Sequence, residues 1–275
     1  MDASVEGGGQ DLTRKQRREQ ARLKRRELEE AEAARAVRRT RLIQLGVVGA
    51  IVVAIIVGIL VATGGSAKKG IAPAPQAKSL VAQVEGLLGG IPQSGNALGS
   101  PQAPVTLQYF ADLECPVCRE FTLGALGPLI EHDVRAGQLR IEYRSLETAT
   151  REPETFRTQQ VAALAAGKQQ KLWQFAELFY HEQGEENSGY VTESYLQKLA
   201  QQVPGLNSSK WQSDRANGQL TNALVADSQA AASAGLSGTP SFMIGRTGGK
   251  LQKFEYASLT DPASFESAVE SVTKK

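Results

Sequence analysis

Cys115 and Cys118 are the only cysteines in this 275-residue chain, and they read Cys-Pro-Val-Cys. A strand-like run, Ala103 to Phe110, precedes them, and a helix-like run from Arg119 follows. A cysteine where a strand hands over to a helix has its sulfur at the helix's positive end. Unsatisfied N–H groups and the macrodipole there favour a thiolate over a thiol. Pro116 suits the first helical position, where its missing N–H costs nothing. With two residues between them the sulfurs can close a small ring, so one can attack a disulfide and the other resolve the mixed intermediate. The motif therefore reads as a dithiol–disulfide redox site. A structural disulfide and half of a zinc site are the alternatives. Zinc needs two further ligands, and the only histidines, His132 and His181, have no partner at close spacing.

The elements that must position the pair follow from periodicity. Residues 104–110 form the core strand, and a helix is predicted from Pro116 to Ala136 with Gly137 as its stop. Leu139 to Arg144 alternates apolar and polar, which is a strand. A long helix-patterned stretch, about 150–235, contains Leu172-Trp173-Gln174-Phe175 and ends between Gly235 and Gly238. Gly238-Thr239-Pro240-Ser241-Phe242-Met243-Ile244-Gly245 is a short buried strand, with Leu251 to Tyr256 as its partner. Asp261 and Pro262 start a last helix bearing Phe265, Val269 and Val272 on one face. Before the core strand, residues from Ser79 to Leu88 fit a short amphipathic helix, and Ile91-Pro92-Gln93 begins an edge strand. The order is an α/β layout interrupted by an all-helical insertion, whose apolar face near the redox site is expected to help bind unfolded chains, with a plain scaffold role the equal alternative.

Charge divides the chain. Residues 1–41 hold 12 basic and 8 acidic side chains, leaving 19 basic and 21 acidic for the rest, so the larger part offers no nucleic-acid surface. Residues 42–62 carry no charge and one polar side chain, Gln44. A helix of that length spans about 30 Å, the thickness of a bilayer core. Arg35, Arg38, Arg39 and Arg41 flank it on one side, and Lys68 and Lys69 on the other. The denser positive flank faces the cytoplasm. The reading is a charged, solvated tail at 1–41, a single transmembrane helix at 42–62, an extracytoplasmic linker at 63–90 and a catalytic domain at 91–275 outside the cell membrane. A cleaved signal peptide, cut near Gly65-Ser66-Ala67, is the alternative to a retained anchor.

Cys-Pro-Val-Cys and Gly238-Thr239-Pro240, in that order across a helical block, resemble the thioredoxin superfamily, and more narrowly its membrane-anchored DsbA-like thiol–disulfide oxidoreductases. The resemblance covers Ile91 to Val272, with Phe110-Ala111-Asp112-Leu113-Glu114-Cys115-Pro116 similar to the family's Phe-x-Asp-x-x-Cys-Pro segment. It implies a thioredoxin fold with an inserted helical subdomain and no cofactor or metal. It implies that Cys115 is the exposed nucleophile and Cys118 the buried resolving thiol. Pro240 would be cis and lie against the pair, with the Thr239 backbone offered to an extended substrate. The implied partners are unfolded or reduced exported proteins and a membrane redox protein of DsbB or vitamin-K-epoxide-reductase type. A reductase or isomerase of the same fold, and a binding module with a structural disulfide, stand as alternatives.

The sequence departs from that pattern around the pair. Val117 offers no imidazole to stabilise a thiolate. Glu114 is expected to be solvated. Tyr109 stands where many relatives carry a buried acid, which leaves water or Asp112 to move protons, with helix capping the equal alternative for Asp112.

Overall fold

The computed structural model describes residues 74–274 apart from Asn217. Among them no helix is long and apolar enough to cross a membrane. The span 42–62 and the tail before it lie outside the described residues.

Six strands form one sheet in the order β1-β2-β4-β3-β5-β6. The central strand β3 (Val105–Ala111) runs parallel to β4 (Leu139–Ser145), pairing Tyr109 with Tyr143, and antiparallel to β5 (Ser241–Arg246), pairing Tyr109 with Phe242. Edge strands β1 (Gln93–Ser94) and β2 (Ala97–Leu98) close one side, and β6 (Gln252–Phe254) the other. Residues of β3 are buried on both faces, as a central strand with a parallel neighbour requires.

Helices cover both faces. Helix α1 (Ala74–Leu88) starts five residues before the predicted Ser79 and buries Val84 and Leu88. Arg135 holds its C-terminus, donating to the carbonyls of Gly86, Leu87 and Gly89 at 2.7–3.1 Å. Helix α2 (Pro116–Leu123) carries the cysteines. On the face it covers, Tyr109, Phe121, Phe242 and Phe265 pack with ring centroids 4.7–5.5 Å apart, Phe265 belonging to the last helix, α9 (Ala263–Thr273).

The predicted helix from Pro116 to Ala136 is broken. Helix α2 ends at Leu123, and the chain restarts as a turn of helix, α3 (Leu126–Leu129), that widens into a π-helical turn, Ile130–Val134. The break has a steric cause. A Cβ on Gly124 would stand 2.6–2.9 Å from Glu120 O, Leu259 O and Thr260 Cα, so the loop before α9 seats against bare backbone. Ala125 N–H donates to Leu259 O at 2.9 Å across this contact. Gly137, at φ 71°, does end the segment.

The insertion is five helices: α4 (Pro153–Gly167), α5 (Leu172–His181), α6 (Glu193–Gln202), α7 (Ser208–Arg215) and α8 (Gly218–Ser233). Every residue of α5 from Leu172 to Tyr180 is buried, so this helix is the insertion's core and is apolar nearly all round. Trp211 of α7 packs on Phe175 and donates to Ala162 O at 2.8 Å. Helix α8 covers the opposite sheet face, where Asp227 binds Arg144 at 2.7 Å and the Ser145 N–H at 2.9 Å. Among the described residues the insertion has one exposed large hydrophobic side chain, Val225, rather than a broad apolar face. The other two among the described residues, Val117 and Leu123, lie on the cysteine helix.

Candidate functional site

Helix α2 begins with a sulfur as its cap. Cys115 is the N-cap residue, in extended conformation, and its Sγ accepts the Cys118 N–H at 3.3 Å. A serine or aspartate oxygen usually takes that place. Pro116 is at the start of the helix, as predicted. Cys118 lies one turn along, fully buried against Tyr109 and Phe121. The Thr239–Pro240 bond is cis, and the Thr239 carbonyl accepts from Cys115 Sγ at 3.4 Å. The two motifs, more than a hundred residues apart in sequence, therefore meet at one sulfur.

Cys115 is less open than expected. Only 4% of its surface is accessible, whereas Val117 beside it is 40% exposed and forms the apolar rim of the site. The two thiols differ in acidity. Hydrogen bonding from the Cys118 thiol, helped by Thr239 and the backbone N–H groups of Cys118 and Val117, outweighs burial and lowers Cys115 to about 6 from a thiol's usual 9.0. Burial, then the hydrogen bond and charge of Cys115, push Cys118 well above 9.0.

Three tyrosines surround the buried sulfur. The Tyr109 hydroxyl donates to Cys118 O at 3.2 Å and lies 3.3 Å from Thr122 Oγ1 and 3.5 Å from the Tyr180 hydroxyl. Tyr180 donates to Asp112 O at 3.2 Å, and Tyr143 donates to Gln160 at 3.0 Å. Tyr109 thus positions α2 through its hydroxyl. Burial pushes its own ionisation far up, and the nearby Cys118 adds to this, so it is no proton acceptor.

Asp112 is fully buried and already occupied. Its Oδ1 accepts from Glu114 N, Thr150 Oγ1 and Gln159 Nε2, and its Oδ2 from the N–H groups of Thr148, Ala149 and Thr150, all at 2.6–3.3 Å. With six donors on two oxygens it is a staple between the end of β3, the 148–150 loop and α4. Capping of the cysteine helix falls to Cys115, and Asp112 instead accepts the Glu114 N–H just before it.

Glu114 is buried, not solvated. It is 2% exposed, and its Oε1 accepts the Asn187 N–H at 3.2 Å. Burial raises its pKa, which weakens the opposition its carboxylate would offer to a neighbouring thiolate. His132 sits beside Glu266 on the surface, and His181 is half-buried at the end of α5. Among the described residues no three His, Cys, Asp or Glu side chains gather as metal ligands.

Sequence reasoning missed three residues at the site. Gln183 donates to Leu113 O at 2.7 Å and to Cys115 O at 3.1 Å. Arg119 donates to Tyr180 O at 2.8 Å, tying α2 to α5. Thr148 Oγ1 lies 2.5 Å from Thr239 Oγ1, linking the loop held by Asp112 to the proline loop. None carries a local sequence signal, because each acts through a contact made only in the folded chain.

A dithiol capping a helix, at the end of a central strand and opposite a cis-proline loop, defines a thioredoxin-type protein of the DsbA architecture. Residues 93–260, more than half of the chain, match the family model described as Thioredoxin, and the chain belongs to that family. It is similar to the crystal structure of oxidised BdbD from Bacillus subtilis, with a TM-score of 0.56 and 17% identity over 66% of this chain and 94% of that one. Among curated proteins it is 22% identical to a probable disulfide bond formation protein D of Bacillus anthracis, over 54% of this chain and 68% of that one. It is also 26% identical to the Na(+)/H(+) antiporter NhaA 3 of Salinispora tropica, over 68% of this chain but only 29% of that relative's length.

Two measurements check the site. Thiolate absorbance of the reduced protein at 240 nm is expected to rise with an inflection near pH 6, and Cys118→Ala to move it upward by removing the strongest hydrogen bond. An inflection near 9 in the unaltered protein would overturn the assignment. Because the folded thiol ionises more readily than the unfolded one, the stability it contributes is fully present above about pH 9 and is lost as pH falls through about 6. Asp112→Ala leaves six donors without their acceptor and is expected to cost at least about 3 kcal/mol in urea unfolding. A loss below about 1 kcal/mol would mean the staple is dispensable.

Proposed function

We propose that the chain is an extracytoplasmic thiol–disulfide oxidoreductase that forms disulfides in exported proteins, with Cys115 as the attacked and attacking sulfur and Cys118 as its buried partner. The observation that carries this reading is the asymmetry of the pair: one sulfur capping a helix at a pKa of about 6, the other buried and raised.

In the oxidising direction a substrate thiolate attacks Cys115 Sγ of the Cys115–Cys118 disulfide. The S–S bond breaks, and Cys118 leaves with the electron pair and takes up a proton. A second substrate thiolate then attacks the substrate sulfur of the mixed disulfide and expels Cys115 as a thiolate. The substrate has lost two electrons and the pair has gained them. A leaving thiol of low pKa departs readily, and a Cys115 thiolate stabilised by the Cys118 thiol, Thr239 and the backbone favours the reduced pair, which supports the oxidising direction. Val117 supplies an apolar rim for an unfolded chain, and the Thr239 backbone lies where an extended segment would pair with it.

The chain holds no second cysteine pair, so electrons must leave to a partner. By resemblance that partner is a membrane protein of DsbB or vitamin-K-epoxide-reductase type. The uncharged span 42–62, with its arginine flank, supports an anchor with the catalytic domain outside, where disulfides persist.

Cys118→Ala is expected to accumulate mixed disulfides with exported proteins, visible as reducible adducts on a non-reducing gel, and Cys115→Ala to trap none. Adducts on Cys115→Ala alone would reverse the assignment. For topology, membrane-impermeant labelling of single cysteines added at either end, in a Cys115→Ala/Cys118→Ala background, is expected to mark the C-terminal end only. Recovery of a shortened soluble form would replace the anchor with a cleaved signal.

A further inference from the structure

One buried acid takes no part in the dithiol site. Glu177 of α5 is 2% exposed, and its Oε1 has no hydrogen-bond partner. A buried polar atom without a partner costs stability and calls for a reason. Glu177 is not among the groups that most shift either cysteine or the three tyrosines around Cys118, and burial is the cause of its own shift, so the redox pair does not supply that reason.

Glu177 lines a cleft of about 360 Å³ between α1, the end of α2, α3 and α5. Gln83, Val84 and Leu87 come from α1, Leu123 from α2, Pro128 from α3, and Glu131 and His181 complete the polar side. Two glycines keep it open. A Cβ on Gly86 or on Gly127 would meet nothing within 4 Å. The lining holds two acids and no lysine or arginine. On the helices that border the cleft, Arg119 is engaged on Tyr180 O and Arg135 on the carbonyls that end α1.

We propose that this cleft binds a primary alkylammonium group, with the ammonium on Glu177 and the alkyl chain along Val84, Leu87, Leu123 and Pro128. Three features of the cleft select that chemistry. A lining with two acids and no lysine or arginine disfavours anions. The unpartnered carboxyl oxygen of the lining residue Glu177 needs a donor, and an ammonium brings three. Apolar walls favour a methylene chain over a hydrated metal ion. Burial alone pushes the Glu177 carboxyl up to about 8, so the empty cleft holds it protonated at neutral pH. Binding then exchanges one proton for the cation: the carboxyl gives its proton to solvent and the carboxylate pairs with the ammonium.

The pH dependence of that exchange has few other contributors. Glu131 from the π-helical turn and His181 from α5 face the same cleft, and Glu85 of α1 lies outside its lining. Burial lowers His181, which leaves it neutral where Glu177 titrates. On the far sides of α5, Glu154 of α4 and Glu193 of α6 are paired with Arg157 and Arg215, and Lys198 is exposed.

The experiment is calorimetric titration of the full chain in non-ionic detergent with n-butylammonium, using n-butanol as the uncharged control and N-acetyl-lysine methylamide as the side-chain form. Saturable one-to-one binding of butylammonium is expected. Its affinity should rise nearly tenfold per pH unit between about pH 5.5 and 7.5 and level off above 8, with close to one proton released at pH 7 when two buffers are compared. Glu177→Gln should abolish binding, and Gly127→Leu should block it without touching the acid. Both variants should keep the Cys115 inflection near pH 6, which certifies the fold and separates this site from the redox reading. Equal binding of the lysine derivative would extend the site to a partner's lysine side chain, and its failure would confine it to small amines. No saturable binding, equal binding of butanol, or binding that survives both variants would overturn the proposal.

Discussion

A sulfur can cap α2 only if the chain leaves β3 at one angle, and the Asp112 carboxylate fixes that angle. It gathers four backbone N–H groups, a hydroxyl and an amide from three separate segments. The turn from Asp112 to Cys115 is thereby anchored to the loop at 148–150, and Thr148 in that loop reaches Thr239 beside the proline. Cys115 Sγ thus finds both the Cys118 N–H and the Thr239 carbonyl because one buried carboxylate holds the three pieces together.

The asymmetry of the pair follows from where α2 lies against the sheet. At the helix start Cys115 gains N–H groups and a neighbouring thiol as donors, and these outweigh its burial. One turn along, Cys118 gains mostly burial, among tyrosines whose hydroxyls are engaged with one another and with main-chain carbonyls. Replacing a buried acid with Tyr109 therefore exchanges a titrating neighbour for a positioning one. With Tyr109 in place of an acid and no imidazole at Val117, the thiolate is stabilised by the Cys118 thiol, Thr239 and the backbone N–H groups.

What could be read in the sequence was what acts locally. The Cys-Pro-Val-Cys cap, the alternation of β4 and the apolar run of α5 each declare themselves within ten residues, and each is found where expected. The failures share one cause. Glu114 looked solvated because nothing nearby in sequence covers it; the cover is the loop at Asn187, 73 residues on. The break at Gly124 answers to Leu259 and Thr260, again far along the chain. The apolar periodicity of the insertion predicted an outward binding face, but the five helices bury one another's stripes around α5. The hairpin of β1 and β2 has two residues in each strand, too short for any period to show.

That inward packing leaves exposed apolar surface mainly on the cysteine helix. With the insertion's apolar side chains turned away from solvent, the exposed hydrophobic groups near the sulfur are those of α2, Val117 foremost. Cys115 itself is almost covered, and its sulfur meets the Thr239 carbonyl beside the exposed Val117. Under the proposed function, apolar contact at Val117 and main-chain pairing at Thr239 would read no particular side chain. Selectivity would then come from the acidity of the attacked sulfur and the extension of the substrate rather than from recognition of particular residues.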